Sequence, residues 1–304
     1  MSNTQSWRLG FALAMTTALM WGLLPVAMKG LLQDISPATV TWYRFVGAGI
    51  FTIAWYHYRG TLNLRHLFSR PLIALTCIAS AGLILNYISY ALGLHFSTPG
   101  AAQVTIQLAP LLLLLASVIW LGEDFSRQQA MGLVLVVAGL VLFFNQRFGE
   151  MLSGSNPRYL MGVGLIVVAA ITWATYGFFQ KKLLKHVGTQ DLLALIYILG
   201  TFAFLPMAEP ASVVGLSPLA WALLAFLTLN TIVAYGAFAA AMQVWDASRV
   251  SASLALVPVI TLVTASVVAH YSPDYIEVEP LNLWSWVGAM LVVGGSLVTA
   301  LSRR

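Results

Sequence analysis

The sequence predicts an all-α integral membrane protein with ten transmembrane helices, built as two five-helix inverted-topology repeats around a central cavity. Three observations predict it. Of 304 residues, 60% are hydrophobic and only 8% charged, with a mean hydropathy of +0.85; a soluble domain carries about 25% charged residues. Apolar runs of roughly the 20 residues that a bilayer requires recur along the whole chain. The stretch 86–110, NYISYALGLHFSTPGAAQVTIQLAP, returns without a gap as 234–258, AYGAFAAAMQVWDASRVSASLALVP. Tyr87 falls on Tyr235, Tyr90 on Phe238 and Pro110 on Pro258. Each copy reads as an apolar helix, a brief polar break and a second apolar helix ending at a proline. So long a repeat in so apolar a chain points to two related halves, 1–150 and 151–304.

The ten runs lie at 9–31, 39–58, 72–94, 100–121, 130–144, 160–184, 192–207, 219–244, 250–269 and 283–301. Their lengths suit helices, and the alternation of a membrane β-barrel is absent. The first run is too long for a signal-peptide core and holds Trp21, Pro25 and Lys29, so it reads as a retained helix. The single cysteine, Cys77, falls inside a helix and is expected to be a small core residue, with no intramolecular disulfide.

The formal net charge of +5 describes topology rather than affinity for nucleic acid. With the N-terminus in the cytoplasm, Arg8, Arg59, Arg65, Arg70, Arg127, Lys181, Lys182, Lys185, Arg249, Arg303 and Arg304 all fall on the cytoplasmic side. Lys29, Arg147 and Arg158 fall opposite, with Arg44 just inside a helix there, and so does the acidic cluster Asp274, Glu277 and Glu279. Under the positive-inside rule both termini are cytoplasmic. Five spans per repeat is an odd number, so the second repeat enters the membrane from the other side.

The first helix carries Trp21, Pro25 and Lys29 on one face, and the sixth carries Trp173, Gly177 and Lys181 in the same spacing. Pro25 and Gly177 each weaken their helix. The tryptophans read either as cavity wall or as packing, the lysines as vestibule charges or as side chains snorkelling to their own surface. Arg44, which costs about 2.5–3.5 kcal/mol at the bilayer centre, is expected to lie shallow, near the external mouth. There it either snorkels to lipid phosphate or meets a carboxylate. In the third helix Asn86, Tyr90 and Gly93 share a stripe with Tyr87 beside it, and the amide needs a partner or a wet cavity. The eighth helix offers the more apolar Tyr235, Phe238 and Met242. Gln103, Gln107 and Pro110 form a stripe on the fourth helix, answered by Ser251, Ala255 and Pro258 on the ninth. Pro110 and Pro258 are expected to act as matching hinges. The fifth and tenth helices share a glycine pattern, Gly132 with Gly139 and Gly288 with Gly295, and read as closely packed scaffold.

No Gly-rich phosphate loop is present, and His57, His66, His95, His186 and His270 are scattered near helix ends. No serine has a histidine and carboxylate fixed by pattern. These absences argue against an enzyme, and no metal or cofactor is expected. No Asp or Glu falls mid-span, where ion-coupled carriers often place a carboxylate; facilitated diffusion is the expectation.

Two five-helix halves, WGxxPxxxK at Trp21–Lys29, an aromatic third helix, LAP at Leu108–Pro110 and LGE at Leu121–Glu123 resemble the drug/metabolite transporter superfamily with EamA-type repeats. Within it the chain is most similar to the bacterial aromatic amino acid exporters, an inner-membrane group also linked to methyl viologen export. It departs in the second half, where LGE becomes Ala269-His270-Tyr271 and WGxxP becomes Trp173-Ala174-Thr175-Tyr176-Gly177. The resemblance implies ten helices around a cavity, alternating access, and export of amino acids from the bacterial cytoplasm across the inner membrane. The residues themselves fit such a substrate. Trp21, Tyr87, Tyr90, Trp173, Tyr176 and Tyr235 are suited to walling an aromatic cavity, with Asn86, Gln103, Gln107 and Ser251 for hydrogen bonds. Such a cage also attracts organic cations, and a threonine-type amino acid or a nucleoside stays open. The expected partners are a small-molecule substrate and the lipid bilayer, with no nucleic acid and with a monomer as the unit.

Overall fold

In the computed structural model, the protein is described over residues 3–122, 124–245, 250, 253–272, 275–276 and 280–301, without the side chains of 3–6, 121, 151–152, 239 and 242–243. Ser251, Arg249, Glu123, Asp274, Glu277, Glu279, Arg303, Arg304 and the Met242 side chain therefore lie outside the described residues.

Helices are the physical consequence of composition: in hydrocarbon every backbone N–H and C=O needs an internal partner. The described helices are α1 (Asn3–Leu31), α2 (Pro37–Tyr58), α3 (Ile73–Phe96), α4 (Pro99–Thr105), α5 (Leu108–Leu121), α6 (Arg127–Phe143), α7 (Phe148–Ser153), α8 (Pro157–Leu183), α9 (Thr189–Phe204), α10 (Pro218–Val244), α11 (Val257–Tyr271) and α12 (Leu283–Leu301). Among the described residues, six spans are long and apolar enough to cross a membrane: one each in α1, α3, α8, α10 and α12, and one formed by α4 and α5 together. α6, α9 and α11 are shorter apolar helices, and α2 is 22 residues long.

Several helix starts are written in the sequence. Ser36, Thr98, Asn156 and Ser217 each accept a backbone N–H from the first turn, and proline follows each at the first helical position. That pairing satisfies a free donor and presets φ. Ser126 and Gln129 close a reciprocal capping box on α6.

Packing follows the small residues. α6 and α12 run antiparallel with backbones in contact: a Cβ on Gly132 would stand 2.6 Å from the Gly295 carbonyl oxygen, and one on Gly139 2.7 Å from that of Gly288. α3 lies as closely on α8, Gly93 against Gly162 and Gly82 against Thr172 and Tyr176. α1 meets α10 through polar ties, the Thr17 hydroxyl donating to the Ala234 carbonyl at 3.4 Å and the Asn230 amide to that of Met20 at 2.5 Å. α2 opposes α9, with Phe45 over Gly200 and Gly49 against Tyr197. Further contacts join α5 to α8, α11 to α1, α10 to α2 and α3 to α9.

Two expectations are corrected, for the fourth run and for Cys77. The fourth run is not one kinked helix, because α4 ends at Thr105 and α5 begins at Leu108. Pro110 has no N–H, and its ring clashes with the carbonyl four residues back, at Ile106. Pro25 produces no break, since α1 runs through it. Cys77 is exposed on the outer surface of α3 rather than packed in the core.

Gly139→Leu and Gly288→Leu should each separate α6 from α12 and destabilise the protein by about 1–3 kcal/mol or more. Gly164→Ala, inside α8 where an added Cβ meets nothing within 4 Å, should not destabilise the protein and should raise stability by up to about 1 kcal/mol. Thermal unfolding and size-exclusion profiles of the detergent-solubilised variants check this.

Candidate functional site: an interior cavity

A cavity of about 520 Å³ lies among the helices, walled by residues of α1, α2, α3, α4, α5, α8, α10 and α12 and by the helix breaks around residues 106–107 and 254–257. Its volume falls within the roughly 300–1,000 Å³ of small-molecule sites.

The breaks exist because of the prolines. Ile106 and Gln107 form the turn between α4 and α5, and both line the cavity together with Ala109, Pro110 and Leu111. Ala255 and Leu256 make the matching turn before α11, whose second residue is Pro258, and Leu254, Ala255 and Val257 face the cavity. Irregular backbone at membrane depth is tolerated where it is buried or lines a cavity.

Aromatic rings form much of one wall. Trp21 meets Tyr235 edge-on, with centroids 5.5 Å apart, and lies 5.7 Å from Phe238. Trp173, Tyr87 and Tyr90 also line the space. Amides stand beside them. Asn86 donates through Nδ2 to the Ala169 carbonyl at 2.8 Å, tying α3 to α8. The Tyr90 hydroxyl lies 3.5 Å from Gln103 Oε1, and Gln107 lines the cavity from the helix break.

Arg44 is enclosed by neighbouring helices rather than turned out toward lipid phosphate. It is 4% exposed and lines the cavity. Nε donates to the Thr231 hydroxyl on α10 at 3.0 Å, and the guanidinium carbon sits 4.8 Å from the centre of the Tyr87 ring. Thr231 fixes the side chain's position, while the ring's negative face favours the charge. Among the described residues no carboxylate lies within ion-pair distance of it.

The other predicted residues divide. Lys181 lines the cavity near the end of α8, as Pro110 does at the start of α5. Lys29 does not: its ammonium donates to the carbonyls of Leu94, His95 and Ser97 at 3.1, 3.0 and 2.5 Å. It thus caps the C-terminus of α3, where the helix dipole favours a cation. Tyr176 is 3% exposed and packs with Tyr87 and Leu83 in the core, outside the cavity wall. Gly177 lies within unbroken α8, with Leu113 where its Cβ would be. Pro258 is buried at the start of α11. Ser117, Ser296 and Thr299 line the cavity and were missed. Ser296 and Thr299 share one face of a helix whose low polarity read as scaffold, and only their spacing of three residues could have signalled them.

These features define the class: a multi-pass helical membrane protein with a small-molecule-sized cavity in its interior. The sequence matches the EamA-like transporter family twice, over residues 8–145 and 160–301. It is 38% identical to YhbE of Escherichia coli (strain K12), called an uncharacterized inner membrane transporter, over 97% of this chain and 92% of that protein. An uncharacterized transporter of Haemophilus influenzae is 34% identical over 97% and 96%. A probable amino-acid metabolite efflux pump of Escherichia coli (strain K12) is 22% identical over 96% and 95%. One crystal structure, 21% identical, covers 98% of each chain with a TM-score of 0.64, a likeness of fold. The chain belongs to the EamA-like transporter family and is a membrane transporter.

Lys29→Met should uncap α3 and lower stability by on the order of 1–2 kcal/mol, read as a lower melting temperature, while Lys29→Arg should restore most of it. An unchanged melting temperature for Lys29→Met would remove the cap.

Proposed function

We propose that this protein exports bulky neutral amino acids, aromatic ones among them, across the bacterial inner membrane by alternating access. The observation that carries the reading is the cavity itself. Five aromatic side chains of the expected set, Trp21, Tyr87, Tyr90, Trp173 and Tyr235, share it with Asn86, Gln103 and Gln107. Rings suit a bulky side chain and amides suit the polar end of a zwitterion. The relative named as a probable amino-acid metabolite efflux pump supports the same substrate class, and the inner-membrane relative supports the location.

Alternating access rests on ten spans in two inverted halves, 1–150 and 151–304. Each half matches the family separately. The helices that would correspond, α2 with α9 and α6 with α12, oppose each other antiparallel. Exchanging the halves turns the α3–α8 contact into α10–α1, the α5–α8 contact into α11–α1 and the α10–α2 contact into α3–α9, all of which occur. Such a pattern suits a pseudo-two-fold axis in the membrane plane. In this state the cavity reaches Ser117, Lys181 and Thr299 near the ends of α5, α8 and α12, the end that the arginine and lysine distribution assigns to the cytoplasm. Met28, Leu31, Leu94 and Leu227 are fully buried toward the other end. These features support an inward-facing reading of the conformation, with both termini taken as cytoplasmic from the arginine and lysine distribution.

No Asp or Glu is among the described cavity-lining residues, which supports transport down the substrate's own gradient. An organic cation is the weaker reading, because Arg44 and Lys181 both line the space.

Proteoliposomes preloaded with tryptophan should take up labelled tryptophan by counterflow, and Trp173→Ala should reduce that uptake by about 2- to 10-fold at equal protein. An imposed proton or sodium gradient should drive no accumulation. Wild-type protein without counterflow for any of the twenty amino acids would refute the substrate class; accumulation driven by an ion gradient would refute facilitated diffusion.

A further inference from the structure

Arg44 carries a charge that no described residue compensates. It is buried, on a helix in the membrane, and no carboxylate among the described residues answers it. Burying an ion without a counter-ion is unfavourable unless something else supplies the opposite charge. The Tyr87 ring covers one face of the guanidinium and Thr231 takes Nε. Neither terminal nitrogen donates to a protein group among the described residues, and neither is sealed away from the cavity. What remains open is therefore the edge bearing the two NH₂ groups, the fork that matches a planar carboxylate bidentately.

We propose that Arg44 binds the carboxylate of the transported molecule, so that a carboxylate is a required element of the substrate. The proposal rests on the reading that the cavity carries amino acids, and it adds an orientation. The carboxylate sits at Arg44 and the ammonium lies among Asn86, Gln103 and Gln107, whose side-chain oxygens are acceptors. The side chain then lies against Trp21 and Trp173. The Asn86 amide nitrogen is held by Ala169, which leaves its oxygen as the group facing the ligand. Charge-neutral analogues lose the ionic partner, and organic cations meet a like charge.

The test uses the full chain in proteoliposomes and three probes: tryptophan, tryptophanamide and 3-phenylpropionate. Each is scored as an inhibitor of, or a substrate for, counterflow. The wild type should prefer tryptophan over tryptophanamide by about 10- to 100-fold, the range for a charge-assisted hydrogen bond. Arg44→Gln should erase that ratio, and Arg44→Lys should retain part of it, having the charge without the fork. Because the readout is a ratio within one variant, a loss of protein does not imitate it; thermal unfolding establishes that each variant is folded. Should Arg44→Gln not fold, the wild-type ratio and Arg44→Lys still decide. Equal handling of acid and amide by the wild type, or an unchanged ratio in Arg44→Gln, overturns the proposal while the amino acid reading stands. Arg44-dependent uptake of 3-phenylpropionate without uptake of any amino acid supports the proposal and overturns that reading. Failure of all carboxylate probes in the wild type overturns both.

Discussion

Hydrocarbon supplies no hydrogen bonds, and that constraint governs the rest of the structure. Every backbone group at membrane depth must find a partner inside the protein. The long apolar runs meet it as helices. Where proline prevents a continuous helix, at Pro110 and Pro258, the interrupted backbone is found beside the cavity. The cavity and the helix breaks are thus one feature. At membrane depth such backbone is tolerated where protein buries it or where it lines a water-filled cavity.

The same constraint explains the polar side chains. Thr17, Asn86, Asn230 and Thr261 each donate to a backbone carbonyl of a neighbouring helix, so a helix pair is held where no hydrophobic driving force distinguishes protein from lipid. Lys29 satisfies three carbonyls at the end of α3. Arg44 differs in kind. Its charge is positioned by Thr231 and Tyr87 but not neutralised by any described residue, and it stands beside the cavity.

Much of this was legible in the sequence. The spacing of Gly132 and Gly139 against Gly288 and Gly295 indicated a close helix pair, and the backbones of α6 and α12 do touch there. The repeat containing Asn86, Tyr87 and Gln103 pointed to residues that share one cavity wall. Other features were beyond periodicity. A stripe says which face a residue occupies, not what stands opposite, so Tyr176 read as wall although it packs into the core. Position along a helix left Arg44 free to snorkel to lipid, whereas its burial depends on α3 and α10 closing over it. Lys29 and Lys181 are matched in the repeat but differ in place, one capping α3 and the other lining the cavity. Equivalent positions in the two matched segments thus have different surroundings, which a sequence repeat alone does not reveal.

The central claim is that the cavity holds the substrate with its carboxylate at Arg44 and its side chain among the tryptophans. An experimental structure of the protein with tryptophan bound tests it most directly. The account predicts the carboxylate within about 3 Å of the Arg44 terminal nitrogens and the indole against Trp21 or Trp173. Tryptophan bound outside the cavity, or inside it with the carboxylate turned away from Arg44, would contradict the account.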